Sequence, residues 1–86
     1  MPEISRFYGI VIKMYFGDHR PPHFHAEYGE FEVVVGIETL AVIAGRLPPR
    51  AMGLVSEWAS SHQADLALAW QRAEMLQPPG TIEALP

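Results

Sequence analysis

The chain contains no cysteine, which excludes disulfides, thiolate nucleophiles and cysteine-ligated zinc together. A secreted domain of 86 residues would ordinarily depend on disulfides, so a reducing, cytoplasmic setting is expected. Basic residues are scarce: 6 Lys and Arg stand against 10 Asp and Glu, a formal net charge of −4. Nucleic-acid binding through bulk charge needs clustered cations to neutralise phosphates, and these are missing. No helix-turn-helix with a basic recognition face is visible either, since the helical region carries Glu57, Asp65 and Glu74. No apolar run approaches the length of a membrane span. The opening MPEISRFYGI lacks the charged-then-apolar order of a signal peptide.

What is present is ordinary globular material, 49% hydrophobic and 10% aromatic. A chain this short makes one domain, with a core so modest that oligomerisation or a bound ion would help it. Residues 8–46 are expected to form a β-meander, 48–76 a helical layer and 77–86 a tail.

Tyr8 to Phe16 alternate, with Ile10, Ile12, Met14 and Phe16 on one side and Val11, Lys13 and Tyr15 on the other. This predicts a strand with one buried face. The turn-forming stretch Gly17-Asp18-His19-Arg20-Pro21-Pro22 ends it. His23–Tyr28 and Phe31–Ile37 then read as two strands joined by Gly29-Glu30, a pair suited to a type II′ hairpin. That turn predicts a register of Tyr28 opposite Phe31, Ala26 opposite Val33 and Phe24 opposite Val35, all apolar and on one face. The other face then pairs His25 with Val34 and sets Glu27 opposite Glu32. Two carboxylates facing each other mark either a tolerated exposed pair or a place where a cation or a partner's arginine sits.

Leu40 to Ile43 is expected to be a short fourth strand closed by Gly45. Pro48-Pro49 opens a helix, where a missing N–H does no harm. Met52, Val55, Trp58, Ala59, His62, Leu66, Trp70 and Ala73 follow at three- and four-residue spacing, a single apolar stripe. Ser60-Ser61 either divides it into two helices with Ser61 as N-cap or leaves one long or kinked helix. Gln77-Pro78-Pro79-Gly80 stops it. The expected fold is α+β: an antiparallel meander of three to four strands with a C-terminal helix or helix pair packed on one face.

The run ISRFYGIVIKMYFGDHRPPHFHAEYGE, followed by a helix that begins LPPRA and contains EWASSH, resembles domain-of-unknown-function family 4160, a group of small uncharacterised prokaryotic proteins. Its most specific parts are Arg6-Phe7-Tyr8-Gly9-Ile10 and Pro22-His23-Phe24-His25. Members often carry Pro-Arg-Arg where this chain has Pro48-Pro49-Arg50, so one basic residue is absent at this helix start. The resemblance implies no assigned activity. It does imply a gene setting similar to toxin–antitoxin pairs, with a small protein partner encoded alongside.

The residues that carry chemistry gather between Asp18 and Glu27. His23 and His25 are two apart on a strand, so both leave the same face about 7 Å apart. His19 and Asp18 sit across the Pro-Pro turn. Asp18, His19, His23 and His25 are the candidate ligands of a divalent transition metal such as zinc, which imidazole suits. The bland alternative is a set of polar side chains at a sheet edge, bonded to backbone or water. A further alternative is metal-free acid–base chemistry in which His23 and His25, assisted by Tyr15 or His19, cleave RNA. Arg46 and Arg50 flank the helix start, where free N–H groups favour anions, and are the candidate anion-binding pair; a solvated pair is the default.

Three functions are therefore compatible with the residues. The first, and the one expected, is an interaction protein in a toxin–antitoxin-like pair, docking on its partner or on a second copy to make a homodimer; the other two are alternatives to it. The second is a small ribonuclease toxin, and the third a metal-binding module.

Overall fold

A computed structural model describes residues 2–86. The alternating first half of the chain forms five strands, β1 (Glu3–Phe7), β2 (Ile10–Lys13), β3 (His23–Tyr28), β4 (Phe31–Gly36) and β5 (Val42–Arg46). They lie in chain order in a single sheet, every neighbouring pair antiparallel. Helices α1 (Pro49–Ser61) and α2 (Gln63–Glu74) follow. The architecture is α+β as expected, with five strands where three to four were predicted.

The central hairpin has the predicted register. Tyr28 faces Phe31, Ala26 faces Val33 and Phe24 faces Val35, and Gly29 takes the positive φ of 59° that the first central position of a type II′ turn requires. Phe24, Ala26, Val33 and Val35 are buried on the inner face, in one core with Val55, Trp58 and Leu66 of the helices. Trp58 joins the layers, with its ring against those of Phe7 and Phe24.

The unpredicted strand is β1. Tyr8 and Gly9 both take positive φ, 50° and 79°, the pattern of a type I′ turn, so the chain reverses where a strand was expected to begin. Tyrosine is an unusual residue in that position, where Asn or Asp would have announced the turn. A bulge between Glu3 and Ser5 makes the adjacent Ile4 and Ser5 both buried, which erases the alternation that marks a strand. At its other end β2 stops at Lys13 and the chain turns at Phe16-Gly17. Phe16 is thereby 45% exposed, not part of the core face.

The last strand is also displaced. Leu40 belongs to a turn, with φ of 60° and its amide donating to the Gly36 carbonyl, so β5 begins at Val42. Gly45 lies inside this strand instead of closing it. Its φ is 72°, and a Cβ there would collide with the Glu32 carbonyl oxygen, so only glycine fits.

Pro49 opens α1 as expected. The chain breaks into two helices, but Ser61 does not cap the second. Ser60 and Ser61 donate their hydroxyls back to the Glu57 carbonyl, and the break falls at His62, with φ of −129°. The apolar stripe survives the break because Val55, Trp58, Ala59, Leu66, Trp70 and Ala73 are all buried. His62 is half-buried, its ring against Trp58 and its Nδ1 3.2 Å from Asp65 Oδ2. The tail docks along the β1 edge. Ile82 N–H donates to the Ile4 carbonyl, and Trp58 Nε1–H donates to the Glu83 carbonyl. No helix among the described residues is long and apolar enough to cross a membrane.

Candidate metal centre

Strand geometry and one turn create the site. Period-two alternation turns Phe24 and Ala26 inward, so His23, His25 and Glu27 share the opposite side of β3. The loop from Met14 to Pro22, which contains a cis Arg20–Pro21 bond, returns across the start of β3 and carries Asp18 to both imidazoles. Asp18 Oδ2 lies 2.8 Å from His23 Nε2 and 3.4 Å from His25 Nε2. One ligand atom from each of Asp18, His23 and His25 falls within 4.8 Å of the others.

The far nitrogens are equally defined. His23 Nδ1 is 2.7 Å from the Pro21 carbonyl oxygen, and His25 Nδ1 is 3.1 Å from Glu32 Oε2. All four ring nitrogens therefore face oxygens, and a carbonyl or carboxylate oxygen can only accept. Two neutral imidazoles carry two N–H groups between them. With both on Nδ1, toward Pro21 and Glu32, the two Nε2 lone pairs would face the Asp18 carboxylate; with the N–H on Nε2, a ring donates to Asp18 instead. Two added protons, or one cation among the three groups, complete the set. Oxygen and carboxylate partners on Nδ1 are the arrangement that orients metal-binding histidines.

The two separations from Asp18 can be compared with those around zinc. Ligands about 2.1 Å from a tetrahedral zinc stand roughly 3.4 Å apart. The His25–Asp18 separation has that value, and the His23–Asp18 separation would open by about half an ångström. Neighbouring cations do not intrude, because Lys13 is paired with Glu27 at 3.0 Å and Arg20 with Glu74 at 3.0 Å.

Burial pushes the Asp18 carboxyl up, but the His19 amide and the two imidazoles outweigh it and hold the group below its ordinary value. Burial, reinforced by the charges of Glu32 and Glu27, pushes the Tyr15 hydroxyl up. Tyr15 therefore stays protonated at neutral pH, its ring edge-on to His25 with centroids 4.5 Å apart. The ring of Trp70 lies 5.1 Å from that of His23, so α2 walls one side of the centre.

Of the residues singled out from sequence, Asp18, His23, His25 and Tyr15 come together. His19 does not: it is exposed and only its backbone amide reaches Asp18. Arg46 lies over the ring of Phe31, 5.2 Å from its centroid. Arg50 is exposed beside a separate groove with Tyr8 and Glu57. Two contributors had no assigned role in the sequence. Glu32 was visible as half of a repulsive pair with Glu27, and the structure relieves that pair by giving Glu27 to Lys13 and Glu32 to His25. Trp70 carried no signal beyond the apolar stripe, since its contact with His23 depends on where α2 ends.

No curated protein and no solved structure matches the chain. A family model, described as a domain of unknown function (DUF4160), matches residues 9–71. It takes in the second strand, the Asp18–His25 turn, the hairpin and both helices up to Gln71, and leaves out β1 and the docked tail. That span is well over half of the chain and holds the whole centre, and the protein belongs to the DUF4160 family.

Proposed function

We propose that this protein is a metal-binding module in which Asp18, His23 and His25 hold one divalent transition-metal ion, zinc being the best match to the donor set. The observation that carries this reading is geometric: one ligand atom each from Asp18, His23 and His25 converges within 4.8 Å of the others. Three protein ligands leave at least one coordination position for water or another molecule. The test is metal titration of protein made without a histidine tag and stripped with chelator. One ion per chain and a raised melting temperature are expected, with His23→Ala and His25→Ala each abolishing both. Substoichiometric binding with no thermal shift would remove the proposal.

Metal-free acid–base cleavage of RNA has less support. Tyr15 stays protonated and serves only as a donor, and His23 is buried at 9% exposure. RNA cleavage by chelator-stripped protein, lost in His23→Ala and His25→Ala, would favour the ribonuclease.

A second reading, membership of a toxin–antitoxin-like pair, concerns a different surface. It is supported by a groove of about 540 Å³ lined by Tyr8, Tyr28, Pro48, Leu54 and the opposite charges of Arg50 and Glu57. Tyr8 is 61% exposed there, a large apolar ring of the kind that docking covers. Co-purification with the product of the neighbouring gene, weakened by Tyr8→Ser, tests it. Failure to co-purify would remove this reading and leave the metal centre untouched.

A further inference from the structure

The two edges of the sheet are treated differently. At the β1 edge the tail runs alongside, with the Ile82 amide bonded to Ile4 at 2.7 Å and the Tyr8 hydroxyl donating to the Pro86 carbonyl at 2.7 Å. At the other edge β5 has β4 on one side and, among the described residues, no strand on the other. All five residues of β5 are exposed, and Val42 and Ile43 each leave about half their surface open. A bare edge strand presents a row of unpaired N–H and C=O groups, and proteins usually blunt such a row with charge or proline. From Leu40 to Gly45 this chain has neither. The bulge at Ile43 bends the strand but leaves its apolar side chains in the open.

Charge selects the occupant. The uncharged run is bracketed by Glu38 at one end and Arg46 at the other, both exposed. Glu38 makes no ion pair among the described residues, and Arg46 has only the Phe31 ring. The base stands at the end of β5 and the acid in the turn that leads into it, so in an antiparallel copy each Arg46 lies at the Val42 end of the other strand, toward the turn that carries Glu38. A parallel copy would set like against like.

We propose that β5 pairs antiparallel with β5 of a second copy across a two-fold axis, joining two five-stranded sheets into one and covering Val42 and Ile43. The contact is a single strand pair, so a dissociation constant of about micromolar order is expected. It is independent of the metal centre, which lies on β3.

Sedimentation velocity over low to high micromolar concentrations tests this, with circular dichroism to verify folding. Wild-type chain shifts from monomer to dimer as concentration rises. Ile43→Lys, and Val42→Lys as a second variant, stay monomeric while retaining the native spectrum. Glu38→Lys and Arg46→Glu each weaken the dimer roughly tenfold, since symmetry counts each contact twice, and the two together restore it. A wild-type chain that stays monomeric throughout, dimerisation undiminished by Ile43→Lys, or a double variant no better than either single one would overturn the proposal.

Discussion

His23 Nε2 lies 2.8 Å from Asp18 Oδ2 while the Nδ1 of the same ring is 2.7 Å from the Pro21 carbonyl oxygen. Both partners come from the turn that precedes the strand, so the ring is clamped from either end by the six residues before it. Trp70 closes against its face. A histidine held in this way cannot swing to suit an incoming ligand; any ion must fit the site already present.

Replacing Asp18 removes the anion shared by both rings and changes how stability depends on pH. Its carboxyl titrates below the ordinary aspartate value in the folded chain, so across that interval the unfolded chain binds more protons. The resulting stability is present above the ordinary value and is lost as pH falls through the folded one. The Asp18→Asn variant, studied with chelator present, should lose less stability on acidification than the wild type. Urea midpoints measured across the acid range check this, and parallel curves for the two proteins would contradict it.

Glu32 orients His25 without belonging to the three converging ligands. Glu32→Gln should lower metal affinity by about 10- to 100-fold, as loss of an outer partner typically does. The metal-free stability should move by no more than about 0.5 kcal/mol, because Glu32 is exposed. Competition against a chromophoric chelator, paired with urea unfolding, distinguishes the two effects.

Two glycines make a matched comparison. Gly45→Ala combines a φ of 72° with a collision against the Glu32 backbone, and should cost more than about 2 kcal/mol. Gly53 lies in α1 with open space around its missing Cβ, so Gly53→Ala should stabilise by up to about 1 kcal/mol. Opposite shifts in the urea midpoint are expected.

Trp58→Phe keeps most of the ring but deletes the Nε1–H donated to Glu83. The cost should be about 1–2 kcal/mol, and the tail should loosen with it. The Ile82 amide, bonded to Ile4, is the reporter: its hydrogen exchange should accelerate more than that of core amides in β3. Uniform acceleration throughout the chain would mean that the tail has no separate equilibrium.

The central hairpin was readable because a two-residue turn with glycine first, followed by strict alternation, leaves one register that buries every apolar side chain. Phe24, Ala26, Val33 and Val35 satisfy it together, and His23 and His25 are consequently on the opposite side. The stripe from Met52 to Ala73 was readable for the same reason at helical period. β1 was not, since Tyr8 hides a turn and the bulge beside Ile4 spoils alternation. Ser61 looked like a cap, but its hydroxyl found the Glu57 carbonyl one turn back, a local competition that composition does not resolve.

The sequence by itself determined the strand and helix periods, the face on which the two imidazoles emerge and the absence of any cysteine-based chemistry. Those properties follow from neighbours a few residues apart. Only the tertiary structure decided that Asp18 reaches both rings and His19 reaches neither, that Glu32 serves His25, that Trp70 flanks His23, and that one sheet edge is covered while β5 is bare. Each of these depends on how a loop returns or where a helix ends, which side-chain spacing along the chain does not encode.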